Sequence, residues 1–276
     1  MKIHKYYYFS EQKDDFANTG IRGKNTPEDF SYLPKNALYR LMKPIVYYTI
    51  LFLGAVILKA ILGVPVQNAR VLRNRKEKKK GYFIYSNHTS RITDALSAPV
   101  TAFPRPCYTV AHPDAISIKG TRLFIRMCGA LPVPSFGKTY RTFNQAIATL
   151  YRKGAVISIF PEAHIWPKYP KIRDFSSVSF TYPVKLHAPC FARTTVYRKQ
   201  KNGKTRPLIL YDGPFYPDES LPTALAIEEL RNRIYTCMVN RTKKYNSSVD
   251  RQYEYIPVDA PEKVRCDTTR IETESL

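Results

Sequence analysis

The run Tyr82-Phe83-Ile84-Tyr85-Ser86 is followed directly by Asn87-His88-Thr89-Ser90-Arg91-Ile92-Thr93-Asp94. A short β-rich apolar run stops at polar, cap-forming residues, and a helical pattern begins at Ile92. Strand, loop, helix is the repeating unit of α/β domains. A histidine and an aspartate just past a buried strand, at the mouth of a helix, stand where α/β sheets hold their ligands. Neutral imidazole takes a proton from a hydroxyl, and a nearby carboxylate fixes its tautomer and stabilises the imidazolium that forms. The same residue types also cap helices, so the pair needs support from the rest of the chain.

Downstream, Tyr108–Ala111, Leu131–Val133, Ala155–Phe160, Cys190–Tyr197 and Leu208–Tyr211 read as further strands. Ile92–Thr101, Ile118–Met127, Tyr140–Arg152 and Ser176–Leu186 read as helices between them. Thr223–Lys244 is a long amphipathic stretch with Leu230, Ile234, Met238 and Arg241 at helical spacing, expected to cover the sheet. The predicted fold is α/β, a mixed and mostly parallel central sheet flanked by helices.

Upstream the character changes. Ile45–Val66 reads IVYYTILFLGAVILKAILGVPV, with Lys59 its only charge. The charge-free run Pro44–Leu58 measures roughly 22 Å as a helix, short of the ~30 Å hydrocarbon core of a bilayer. Cations flank it on both sides: Lys35, Arg40 and Lys43 before, and seven between Arg70 and Lys80 after. Basic flanks at both ends suit a helix inserted into one leaflet better than a span. The expected organisation is an irregular segment 1–34, a membrane-associating segment 35–80, a catalytic domain 81–245 and a tail 246–276. In the first segment, Tyr6-Tyr7-Tyr8-Phe9 suits either a lipid interface or packing on the domain.

Two more strand ends carry chemistry. Ile159-Phe160-Pro161-Glu162 closes one, and Gly129-Ala130-Leu131-Pro132-Val133-Pro134 forms another. The order of apolar and basic N-terminal segment, Asn-His…Asp after a strand, Gly-x-x-Pro-Val-Pro, Phe-Pro-Glu and a later strand preceded by Ala188-Pro189 resembles the glycerophospholipid acyltransferase superfamily. Within it the 1-acyl-glycerol-3-phosphate acyltransferases are most similar. The resemblance spans roughly Gly81 to Val196. It implies transfer of a fatty acyl group from acyl-CoA or acyl carrier protein to the free hydroxyl of a lysophospholipid, with no resident cofactor. It also implies His88 as general base, Asp94 as its partner, and Pro161 and Glu162 lining the acceptor site.

Three departures stand out. The family places four residues between His and Asp, whereas five stand here, Thr89 to Thr93. On a regular helix one extra residue turns a side chain by ~100°, so either Asp94 is realigned or Thr93 takes its place; Asp94 is preferred. Phe-Pro-Glu is usually followed by Gly-Thr-Arg, whose arginine grips phosphate, but Ala163-His164-Ile165 follows here. Lys171 and Arg173 are the replacement candidates, a guanidinium suiting bidentate phosphate contact. The family's arginine after the Gly-x-x element is replaced by Ser135, with Lys138 or Arg141 nearby. His164 is expected to be a structural histidine and Trp166 a packing or interface residue.

Composition bounds the partners. The 276 residues carry 44 Lys plus Arg against 22 Asp plus Glu, a formal +22. The last 31 residues hold four basic and seven acidic side chains, so the excess belongs to the body of the chain. Such a charge asks for an anionic partner. No nucleic-acid recognition module accompanies it, and the densest basic run adjoins an apolar segment, so membrane phospholipid is expected and nucleic acid is not. Five scattered cysteines without a C-x-x-C pair argue against a disulfide framework or zinc finger. No spacing of metal ligands occurs, and no leader of signal-peptide type is expected. The expected location is the cell membrane, catalytic domain toward the cytoplasm. Competing readings are a hydrolase with Ser90 as nucleophile, disfavoured by the lack of a nucleophile elbow, and a non-catalytic lipid-binding protein on the same fold.

Overall fold

The computed structural model describes residues 3–16, 25–116 and 120–258. A seven-stranded sheet forms its centre, built from β2 (Val66–Gln67), β3 (Tyr82–Ser86), β4 (Cys107–Ala111), β5 (Ala130–Pro132), β6 (Val156–Ile159), β7 (Cys190–Lys199) and β8 (Thr205–Phe215). Their order is β2-β8-β7-β3-β6-β4-β5. Every adjacent pair is parallel except β7 and β8, which form an antiparallel hairpin. β3, which carries the Asn-His segment at its end, lies in the middle.

Alternation along β3 explains the two layers. Phe83 and Tyr85 point into a core with α4 (Gly137–Arg152), α5 (Thr181–Leu186) and α6 (Thr223–Lys244). Tyr82 and Ile84 point to the other side, onto Ala98 and Ala102 of α2 (Arg91–Ala102) and onto Leu58 and Leu72. Strands buried on both faces read as continuous apolar runs, which is how β3, β6 and β7 read. In α6, Ala226, Leu230, Ile234 and Met238 make the buried stripe, and the half-buried Arg241 bonds the Asp212 carboxylate instead of packing. Gly129, with φ +97°, follows α3 (Arg122–Met127) where a Cβ would lie 2.5 Å from the Cys107 carbonyl oxygen. Only glycine lets the chain turn into β5 there.

Helix α1 (Ala37–Val56) continues as a π turn to Ile61, 25 residues in all. It begins seven residues before the charge-free run, because Asn36 caps it and Lys43 is drawn inward. The Lys43 ammonium donates to the Tyr108 hydroxyl at 2.5 Å, and burial pushes it down to about 8. By length and composition this helix is a candidate membrane-associated element. One side, with Tyr39, Tyr47, Leu51 and Gly54, packs on the domain. The other leaves Leu38, Leu41, Ile45 and Phe52 exposed.

The segment 1–34 is not wholly irregular. β1 (His4–Tyr8) pairs in parallel with β9 (Tyr253–Pro257), a strand within the expected tail. Tyr6 stacks on Tyr255, Tyr255 stacks on Trp166, and Tyr8 meets Trp166 edge-on. Tyr6 and Tyr8 therefore pack on the domain while Tyr7 and Phe9 stay exposed, and the two ends of the described chain clasp one loop. The expected boundary at residue 81 also shifts, since β2 adds to the sheet through β8. Residues 259–276 of the tail lie outside the described residues.

Candidate active site

The site forms at the C-terminal ends of β3 and β6, beside the middle of β7. Asn87 leaves β3 and replaces a rung of the sheet with its amide. Its Nδ2 donates to the Thr195 carbonyl at 3.0 Å, and its Oδ1 accepts the Thr195 N–H at 2.8 Å. The chain then runs without regular structure through Thr89 to Ser90, whose backbone is extended. Ser90 caps α2, accepting the Thr93 N–H on its hydroxyl.

That placement resolves the spacing. His88 and Thr89 lie outside the helix, so the extra residue is absorbed in the lead-in and the 100° rotation does not apply. Asp94, rather than Thr93, faces the histidine: its Oδ2 lies 2.9 Å from His88 Nδ1. The same oxygen accepts the N–H groups of Thr89 and Ser90 at 2.8 and 2.9 Å. Oδ1 accepts from Arg193 Nη2 at 2.8 Å. Burial pushes the Asp94 carboxyl up, but the Arg193 guanidinium and the His88 contact outweigh it and hold the carboxyl below its usual range. An ionised acceptor on Nδ1 fixes the proton there and leaves Nε2 as the basic nitrogen. Phe160 stacks on the imidazole with ring centroids 4.2 Å apart.

The loop after β6 grips the same segment from the other side. Trp166 N–H donates to the His88 carbonyl, and Lys168 N–H to that of Thr89. Glu162 is buried, and both its oxygens are occupied. Oε2 accepts the His88 N–H at 3.0 Å and Arg173 Nη2 at 3.1 Å, while Oε1 accepts the Arg173 N–H at 3.0 Å. Burial sets its carboxyl above the ordinary range, although Arg173 and these N–H groups pull against it. Trp166 is fully buried, its indole N–H donating to the Asp14 carbonyl.

The expectation for Arg173 needs correcting. It is not on an open loop but buried, its guanidinium paired with Glu162, bonded to the Glu11 and His164 carbonyls and lying over Trp166. A carboxylate buried as deeply as Glu162 requires such a counter-charge, so the guanidinium is committed inward. Glu162 is corrected likewise: it does not line an open acceptor surface but holds the His88 main chain. Pro161 is half-buried at the turn, and Lys171 is exposed. Lys168 is paired with Asp250. Ser135 accepts the Thr26 N–H, tying an N-terminal segment to the sheet end. Arg141 is exposed on α4, and the Lys138 side chain lies outside the described residues. His164 sits 3.7 Å from Asp15. Ser90 serves as helix cap, and His88 bonds Asp94 instead. No cluster that holds a metal ion occurs among the described residues.

Arg193 is the residue the sequence reading passed over. It is fully buried in β7, in register with Ser86. The signal was present: an arginine inside Cys190–Tyr197, an otherwise buried central strand, needs a buried partner.

The acyltransferase family model matches residues 64–213. Among solved structures the fold is similar to the crystal structure of the 1-acyl-sn-glycerophosphate (LPA) acyltransferase, PlsC, from Thermotoga maritima. The TM-score is 0.52 at 15% identity, over 79% of this chain and 86% of that one. No curated protein matches the chain.

Proposed function

This chain belongs to the acyltransferase family, and from that premise we propose that it moves a fatty acyl group from a thioester, acyl-CoA or acyl carrier protein, to the free hydroxyl of a lysophospholipid such as 1-acyl-glycerol-3-phosphate. The observation that carries this reading is the His88 Nδ1–Asp94 Oδ2 contact of 2.9 Å at the end of the central strand. His88 Nε2 accepts the hydroxyl proton as the acceptor oxygen attacks the thioester carbonyl. The tetrahedral adduct collapses, the C–S bond breaks, and the imidazolium returns the proton to the leaving thiolate. Asp94 stabilises the imidazolium between these steps. The acyl group passes directly between substrates, without an acyl-enzyme.

The acceptor reaches the site from a membrane. The outward Leu38, Leu41, Ile45 and Phe52 of α1 enter the lipid, and the cations around it meet anionic headgroups. The membrane is the cell membrane, with the catalytic domain on its cytoplasmic side. Basic flanks at both ends of the helix support that side, and so do the four described cysteines, all free.

The test is to incubate the protein with membranes and labelled acyl-CoA or labelled acyl carrier protein, and to identify the acylated lipid by mass. One diacyl phospholipid product, lost in His88→Ala at unchanged melting temperature, is the expected result. Wild-type turnover in His88→Ala overturns the assignment of the base. No product with either donor, together with retained lysolipid binding, favours a non-catalytic lipid-binding protein.

A further inference from the structure

We propose that Arg193 is a positioning residue of the reaction: from beneath α2 it holds Asp94 ionised and aimed, and so sets the basicity of His88. The inference rests on the acyl-transfer reading above and adds a third member to its pair.

The case starts from cost. Arg193 sits in a central strand, fully buried, on the face that also carries Phe191. Its one close hydrogen bond is Nη2 to Asp94 Oδ1 at 2.8 Å; Thr195 Oγ1 lies at 3.5 Å. Nε and Nη1 have no partner, and the hydroxyls of Ser86, Thr93 and Ser97, all buried, are likewise unpaired. A guanidinium so placed loses its hydration and recovers little of it. Packing alone would be served better by an apolar residue. A local rule broken this way belongs to a functional site more often than to a scaffold.

The geometry says what the cost maintains. Asp94 is almost entirely buried and accepts four contacts, of which only the one from Arg193 brings a permanent positive charge. The other titratable groups facing this pair are Tyr197, Tyr211 and Cys107, all neutral because burial raises them. On the far side of His88, the Glu162 charge is matched by Arg173. Arg193 thus supplies the charge that offsets Asp94 from within the fold. Without it the carboxylate is less stable, and the His88 imidazolium loses a nearby positive charge that disfavours it. His88 then stays protonated to higher pH, and the acid limb of the rate profile moves up.

The experiment compares wild type, Arg193→Met and Arg193→Lys in full-length protein. It measures kcat against pH, the melting temperature, and the His88 titration by NMR of ring-labelled histidine. For Arg193→Met the expected results are a fall in kcat of roughly 10- to 100-fold, part of what a positioned base contributes. The acid limb and the His88 titration should both move up by about one unit, equivalent to ~1.4 kcal/mol. Arg193→Lys, which keeps the charge but not the planar fork, should return the limb toward wild type with kcat still reduced. An unmoved limb and titration in Arg193→Met, with any loss of rate following melting temperature, overturns the proposal. If Arg193→Met does not fold, wild-type kcat in Arg193→Lys overturns it. Should the wild type transfer no acyl group at all, the functional reading fails separately, and the His88 titration still decides whether Arg193 governs the pair.

Discussion

The carboxylate of Glu162 holds the main chain of His88: Oε2 lies 3.0 Å from the His88 amide nitrogen, across 74 residues of sequence. The same carboxylate neutralises Arg173. The Phe-Pro-Glu segment therefore acts on the histidine through its backbone, and several consequences can be measured.

Glu162→Gln keeps an oxygen for the His88 N–H but turns an amide toward Arg173 and leaves that guanidinium buried without a counter-charge. The expected loss of stability is about 3–5 kcal/mol, read from denaturant unfolding, together with a lower kcat as His88 loosens. A loss below about 1 kcal/mol would remove the pair from the structure's support.

Ala163 adopts φ +63° directly after Glu162, at the position where the resembled family has glycine. An L-residue pays a steric penalty in that region that glycine avoids. Ala163→Gly should raise stability by roughly 0.5–1 kcal/mol, less the extra entropy of the unfolded chain. A lowered melting temperature would contradict this.

Asp250 governs part of the acid stability. Burial raises its carboxyl, but the N–H groups of Gln252 and Thr205 and the Lys168 ammonium outweigh burial and hold it at about 2. Its unfolded value is about 3.9, so its stabilisation is present above pH ~3.9 and is lost as pH falls through about 2. Asp94 acts in the same sense, whereas Glu162, raised in the fold, acts in the opposite one. Melting temperature should fall between pH 4 and 2, and less steeply in Asp250→Asn. Equal slopes would rule Asp250 out.

The outward face of α1 supplies the membrane test. Leu41 and Phe52 are 64% and 69% exposed, so charging both leaves the core untouched. Each side chain contributes ~1.5–3 kcal/mol when buried in an apolar phase. Leu41→Glu with Phe52→Glu should weaken binding to anionic vesicles more than tenfold, with melting temperature nearly unchanged. Undiminished vesicle sedimentation would show that the helix does not enter lipid.

Local patterning carried most of the fold. The alternations of β3, β6 and β7, the stripe of α6 and the cap-rich Asn87–Ser90 segment placed these elements within a residue or two, because periodicity and capping act over one or two turns. β1, β2 and β9 did not show. A strand of two residues, and two strands that pair with each other across some 250 residues, have no local signature. The charges were legible as charges but not as pairs: Arg173 read as a phosphate contact because it follows Phe-Pro-Glu on a proline-rich loop, and Arg193 read as part of a strand.

What the sequence determined by itself was the α/β class, the apolar and basic N-terminal region, and the placing of a histidine and an aspartate just past the strand Tyr82–Ser86, since those follow from residue order over short distances. Tertiary structure alone decided that Asp94 and not Thr93 meets His88, that Arg173 answers Glu162, and that Arg193 answers Asp94. Each of those pairings depends on which side chains burial strips of water, and a buried charge takes whichever opposite charge the folded chain brings within hydrogen-bonding reach.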